Sequence, residues 1–461
     1  MQEVSRRTFL RTTAVGAAGL LLAACQPQVV EVEKVVTKEV EKIVKETVVI
    51  EKESGVPTPF PPTKLRFGFR VGQRPQVELM LASFQTEQPN VEVELEPSPN
   101  AEAFKKWQVM AAGGTLPEVL WIGNIVTWTF AEDGIVIDMK PMAELDPDVP
   151  LADIYDPLVK MCSYKDGWYM VPWAADAPVM YYNKTLFEKA GLPVPPPEGL
   201  TVDEFIQASV AITDEEQQIY GTSIPVKWNA VHLAWFSGFG GQFWNEDKSQ
   251  VLINSSECVE AAQTLADLYH KYKCIVPYGA NLGGDPFNLG RAGTTEANRW
   301  QCYGLRSISP DFEWDVTLPP KGPHHHAAIT GTMGPAVSSA ARGGKEQIAY
   351  ELATSVLNPP VQRHFARQYM MIPILKSMAK DSSWYELPPP PANRDVFLDV
   401  LGIAETLPLP ENTYCGTPTW GFMFDTIDQA WDEMIVGAVP AQEALDKAAR
   451  LINDCLARKG K

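Results

Sequence analysis

The sequence lacks an apolar run long enough to cross a bilayer, which takes roughly 20 residues in succession. It also lacks any basic excess: 39 Lys and Arg stand against 57 Asp and Glu, a net charge of −18. A nucleic-acid binder needs a basic footprint, and an anionic membrane surface repels such a chain, so charge argues against both partners. No Cys-x-x-Cys occurs, which argues against a zinc ribbon or a thioredoxin-like redox centre. Gly-x-Ser-x-Gly, His-Glu-x-x-His and the phosphate-binding glycine loop are missing too. No cofactor and no metal are therefore expected. What is present suits a packed soluble protein: 45% apolar and 10% aromatic residues over 461 positions, enough for two domains.

The first 25 residues carry a distinct message. Arg6 and Arg7, in the setting Ser-Arg-Arg-Thr-Phe-Leu, read as a twin-arginine export signal. The apolar stretch from Ala14 to Ala24 is too short for a span but suits the apolar region of a signal peptide. Leu22-Ala23-Ala24-Cys25 resembles the lipobox of bacterial lipoproteins, where cleavage leaves the cysteine to take a lipid. Residues 1–24 are expected to be removed, and Cys25 to anchor the protein outside the cytoplasmic membrane. Residues 25–63 then form anchor and spacer. Within them, residues 29–53 alternate Val and Ile with Glu and Lys and contain no aromatics. They could form a helix, a coiled coil or an extended tether, and the prolines of residues 56–63 end any helix.

The body reads as strand and helix in alternation, an α/β pattern with a largely parallel sheet. Strands are expected at "LRFGF" (65–69), "VEVEL" (91–95), "EVLWI" (118–122), "GIVIDM" and "APVMYY". Val77, Met80, Leu81 and Phe84 follow helical spacing. Further helices are expected near 152–160, from Lys184, and over "RAGTTEANRW" ahead of Trp300. Thr201 and Glu204 form a capping box for a helix through Ala211. Leu445, Ala448, Ala449, Ile452 and Leu456 share one face of the last helix. Beyond Cys25, the cysteines Cys162, Cys258, Cys274, Cys302, Cys415 and Cys455 are read mostly as buried free thiols, their pairing left open.

Residues 166–205, "DGWYMVPWAADAPVMYYNKTLFEKAGLPVPPPEGLTVDEF", resemble the hinge region of family 1 extracellular solute-binding proteins, the maltose-binding-protein-like receptors of ABC importers. The shared features are a Gly-x-x-Tyr-x-x-Pro crossing strand, Tyr-Asn-Lys-x-Leu-Phe-x-x-Ala-Gly-Leu, and a Pro-Pro ahead of an acidic helix start. Trp168, Tyr169 and Val202 depart from the usual residues. The segments "FQTEQPNVEVEL", "LPEVLWIGNIVTWTFAEDGIVIDM" and "KEQIAYELATSVLNPPVQRHFAR" resemble other parts of the same family. The resemblance covers about residues 64–458. It implies a two-lobed periplasmic-binding-protein type II fold with three interlobe crossings. Lobe I would comprise 64–172 plus 324–378, and lobe II 177–320 plus 380–461. With the Cys25 anchor it implies a monomeric, lipid-anchored receptor that binds a carbohydrate between hinged lobes and delivers it to an ABC permease in the membrane. The alternatives are a receptor for another polar solute, such as a polyol phosphate or a peptide, and a secreted glycan-cleaving enzyme.

A sugar offers an apolar C–H face that stacks on Trp or Tyr and a hydroxyl rim that needs Asp, Arg or Asn. Trp121 and Trp128 flank Asn124 after a strand end, where α/β proteins place ligands. Trp235, Trp300 and Trp420 sit in segments matching the family's cleft loops. Each tryptophan has core packing as its alternative; at least two of the five are expected in the cleft. Gln73 and Arg74 match the family's ligand-contacting loop in position, and Asp176 its acidic residue after the first crossing. His232 reads as a structural histidine. His324-His325-His326 reads as exposed loop residues at a crossing, because alternate residues of an extended segment face opposite ways. For the enzyme alternative, Asp176 and Asp285 would be the carboxylate pair.

Overall fold

The computed structural model describes residues 59–458, apart from 101, 175–176, 248, 370, 379–387 and 407–418. The export signal, Cys25 and the 29–53 repeat lie outside the described residues.

The chain opens with β1 (Thr63–Arg70), whose Leu65, Phe67 and Phe69 are wholly buried. In α1 (Arg74–Glu87) the buried positions are Val77, Met80, Leu81 and Phe84, the face its periodicity marks. β2 (Val91–Ser98), α2 (Ala103–Ala112), β3 (Val119–Gly123) and α3 (Asn124–Glu132) follow. β2 and β3 flank β1 in parallel, with Leu65 opposite Val93 and Phe67 opposite Val119. "GIVIDM" makes only an isolated bridge, Val136 to Ser338, instead of a strand.

The second sheet begins at β4 (Val179–Asn183). Helix α4 (Val202–Ile212) carries the reciprocal Thr201–Glu204 capping box. β5 (Tyr220–Thr222), α5 (Asn229–Gly238) and α6 (Ser256–His270) lead to β6 (Ala292–Ala297). Here the structure corrects the sequence reading, which expected a helix over "RAGTTEANRW". β6 lies between β5 and β4, and all six of its residues are buried. A strand covered on both faces shows no alternation, and β-branched Thr294 and Thr295 favour it. α7 (Trp300–Ile308) and β7 (Trp314–Thr317) complete this part. The second sheet, ordered β5-β6-β4-β7, is mixed: β4 runs antiparallel to both neighbours, so the expectation of a largely parallel sheet holds only for the first.

β8 (Ala328–Thr330) and β9 (Met333–Val337) carry the chain back, and β9 adds antiparallel to β3. α8 (Pro359–Tyr369) follows. Then come α9 (Val396–Ile403), β10 (Ala404–Thr406), α10 (Thr419–Ile435) and α11 (Ala441–Ala457). β10 pairs in parallel with β8. Helix α11 buries Leu445, Ala448, Ala449 and Ile452, as its spacing requires.

The chain passes between the sheets three times. The first passage leaves the first sheet where Val171 N donates to Pro335 O (2.8 Å) and Trp173 N to Met333 O (3.0 Å). That close approach needs Gly334, since a Cβ there would lie 1.7 Å from Val171 O. The second runs from Thr317 through β8 to Met333. The third lies beyond Met378: Ser377 N still bonds Asp153 Oδ1 on one side (2.9 Å), and Ala392 N bonds Asp315 Oδ1 on the other (2.9 Å).

Cys162, Cys258, Cys274 and Cys302 are buried thiols outside any disulfide, while Cys455 is disulfide-bonded. Among the described residues no helix is long and apolar enough to cross a membrane.

Candidate binding cleft

Strand direction decides which sheet edges face each other. The first two passages meet the first sheet at the start of β9, opposite the C-terminal end of β3 and on the edge where parallel β1 also ends. They attach to the second sheet at the start of β4 and the end of β7, where β5 and β6 also end. From Trp173 to Val179 the chain can span no more than about 20 Å. The two rims therefore confront each other across the passages, and strand ends of this kind are where α/β folds hold ligands.

The first rim is polar. Arg70 ends β1 half-buried; its Nε donates to Gln73 Oε1 (3.2 Å), its Nη2 to Met333 Sδ (3.1 Å), and its guanidinium lies 5.5 Å from the Phe104 ring centre. Burial lowers its pKa below the ordinary arginine value. Gln73 also points Nε2 at Met333 Sδ (3.9 Å), and Asn100 Oδ1 accepts from Gly72 N (3.2 Å). Exposed Arg74 starts α1, paired with Glu78 at 3.0 Å, and its guanidinium lies over Phe69. Asn124 is buried and committed to the fold: its Oδ1 accepts from Thr332 N and its Nδ2 faces Met161 Sδ.

The second rim carries the segment after β5, residues 223–228, and Asn298 to Trp300 after β6. Trp300 is 53% exposed at the first position of α7. Beneath it Arg299 is buried, 5.2 Å from the Phe397 ring centre. Trp228 is half-buried as the residue preceding α5.

The other tryptophans divide differently from the expectation. Trp121 is wholly buried in β3, stacked on Phe67 at 6.5 Å and edge-on to Trp173 at 5.9 Å. Trp235 is 4% exposed, packed between Phe205 and Phe239, with Nε1 3.4 Å from Glu296 Oε1. Both belong to hydrophobic cores, because the strand and helix faces that carry them point inward. Trp128 is half-buried and donates Nε1 to Ser163 O (2.9 Å). Asp176 and the side chain of Trp420 lie outside the described residues. Of the nine expected site residues, Gln73, Arg74 and Trp300 reach the two rims with side chains open to solvent. Arg70, Asn100, Met333 and Trp228 were missed. Arg70 had one signal: it directly follows the apolar run "LRFGF" at a strand end.

The histidines are structural or separate. His232 is buried, its Nδ1 3.2 Å from Val226 O, and burial lowers its pKa to about 4. His324 lies against Gly240, and His326 turns toward Gly199. His325 Nε2 meets Ser237 Oγ (3.1 Å), which donates to Glu405 Oε1 (2.6 Å), beside a cavity of about 520 Å³. Among the described residues no group of three or more His, Cys, Asp or Glu is placed to hold a metal ion. Asp285 is exposed, and its Oδ1 accepts from Asn288 N.

Glu296 is fully buried near the end of β6. Burial raises its pKa to about 7, against the opposing hydrogen bond from Trp235.

Comparison with known proteins agrees with this geometry. The family model of bacterial extracellular solute-binding proteins matches residues 80–390. The erythritol/L-threitol-binding protein of Mycolicibacterium smegmatis is 23% identical over 40% of this chain and 43% of its own length. The maltotriose-binding protein of Pyrococcus abyssi is 24% identical over 64% of this chain and 62% of its own length. The chain thus spans less than two thirds of the length of either of these curated relatives. An ABC substrate-binding protein of Listeria monocytogenes, solved in complex with cycloalternan, superposes with a TM-score of 0.77 at 22% identity, over 86% of this chain and 99% of its own. The architecture is that of the two-lobed binding proteins.

Proposed function

The chain belongs to the bacterial extracellular solute-binding proteins, and from that premise we propose that it is the receptor of an ABC importer for a polyhydroxylated carbohydrate. The observation that carries this reading is the pair of confronting rims. One presents hydrogen-bonding groups, Arg70, Gln73 and Asn100; the other presents an exposed aromatic face, Trp300. A pyranose needs both surfaces, and closure of the lobes would bring them together by hinge motion. The polyhydroxylated ligands named for the similar proteins support the same class.

In this reading Arg6 and Arg7 direct export, Cys25 takes a lipid, and the 25–63 spacer holds the body off the membrane within reach of the permease. The lobes divide as 64–172 plus 324–378 and 177–320 plus 380–461. The receptor works as a monomer, and it binds without turnover.

A thermal-shift panel of monosaccharides, oligosaccharides and polyols tests the reading. Ligand at 100 times its Kd adds about 2.7 kcal/mol of native-state stability, so true ligands raise the melting temperature in a dose-dependent way. A panel with no shift, or steady production of shorter sugars by the pure protein, would overturn it.

A further inference from the structure

Four cations lie along β1 and its exit. Lys64 pairs with Glu92 (3.3 Å) and Glu94 (3.1 Å). Arg66 pairs with Glu96 (3.3 Å) and donates its backbone N–H to Glu118. Arg74 pairs with Glu78. Arg70, the most deeply set in the cleft rim, has no carboxylate among the described residues. Its neighbours are an amide, a thioether and a phenyl ring, all neutral.

Acids are not scarce in this chain, which has 57 against 39 bases. Among the described residues, the fold places carboxylates beside the other three cations and none beside this one. A half-buried guanidinium has lost hydration that only an anion or several strong acceptors restore. Of its five N–H donors, one serves Gln73 and one a weakly accepting sulfur. The remaining edge of the planar fork matches the two oxygens of a carboxylate or phosphate.

We infer that the bound solute carries an anionic group, a carboxylate or a phosphate on a polyhydroxylated body, and that Arg70 is the residue that selects it. This rests on the receptor reading above and narrows it to acidic glycans or polyol phosphates. Gln73, held against Arg70, fixes the plane of the fork. Asn100 and Trp300 serve the uncharged body of the ligand.

Matched pairs test the inference by calorimetric titration. Digalacturonate is compared with galactobiose, and glycerol 3-phosphate with glycerol, at low and high salt. The acidic member of at least one pair should bind tenfold or more tighter than its neutral partner, and its advantage should shrink with salt. The pair showing the preference tells carboxylate from phosphate. Arg70→Gln and Arg70→Met, the latter keeping an apolar stem over Phe104, should abolish the difference while melting close to wild type. Neutral ligands binding as well as acidic ones in the wild-type protein would overturn the inference and leave the receptor reading standing. An acidic preference that survives in a folded Arg70→Gln protein would remove Arg70 from the role. Failure of every polyhydroxylated compound, neutral or acidic, would overturn the receptor reading and the inference together.

Discussion

Replacing Trp300 and Trp121 by alanine, separately, distinguishes a ligand platform from a core residue. A tryptophan presents roughly 250 Å², and Trp300 leaves 53% of its surface open. A sugar ring covering one face would remove roughly 60 Å² of that from water. At about 25 cal/mol per Å² this is about 1.5 kcal/mol, or tenfold in Kd. The apo protein should barely notice the loss, since exposed substitutions usually fall within about 0.5 kcal/mol. Trp121 is the opposite case, wholly buried between Phe67 and Trp173. Its truncation should cost about 3–5 kcal/mol. Over about 400 cooperatively unfolding residues the unfolding entropy is roughly 0.8 kcal/mol per degree, so Tm should fall by about 4–6 °C. Ligand-free differential scanning calorimetry and titration calorimetry on the same two variants give the comparison. A Trp300→Ala protein with lowered apo Tm and unchanged Kd would refute the platform assignment. A Trp121→Ala protein with native Tm would refute the core assignment.

Four further outcomes are expected. Cys162, Cys258, Cys274 and Cys302 are buried, and burial pushes the first three thiols above their ordinary pKa; an aqueous thiol reagent should leave these four unmodified in the native protein and label them after unfolding, as read by mass spectrometry. Glu296, with its folded pKa raised to about 7, holds a proton that the unfolded chain releases, so its contribution is full below about pH 4.5 and is lost as pH rises through 7; Glu296→Gln should remove up to about 3 kcal/mol of that decline. His232 acts with the opposite sign, losing stability as pH falls from about 6.5 toward 4, so denaturation profiles of His232→Gln should be flatter on the acid side only. For export, Lys at both Arg6 and Arg7 should leave the protein in the cytoplasm, and Cys25→Ser should release it from membranes on fractionation; membrane retention of Cys25→Ser would contradict the lipid anchor.

Much of the fold was legible because its signals are local. The face of α1, the box at Thr201 and the stripe of α11 follow from side-chain periodicity and capping chemistry, which need no tertiary context. β6 was misread because both its faces are covered, and a strand buried all round carries no period of two. The resemblance at residues 166–205 supplied the architecture that periodicity alone left open. The site was less legible. Trp121 lies in β3 and Trp235 in α5, both in elements that lead to or from the rims, but one residue along a strand or a fraction of a helical turn moves a ring from rim to core. Arg70 was passed over because arginine at the end of a strand is common. What singles it out is the lack of a carboxylate beside it among the described residues, and that is visible only when Glu92, Glu94, Glu96 and Glu118 are seen to serve other cations.

Amide hydrogen exchange of the mature protein, with and without the best ligand from the panel, tests the central claim most directly. A solute held between the rims should protect residues 70–74 and 98–100 on one side and 223–228 and 298–300 on the other, in the same titration. Protection confined to one rim, or centred on Ser237, His325 and Glu405, would place the ligand elsewhere and contradict the account.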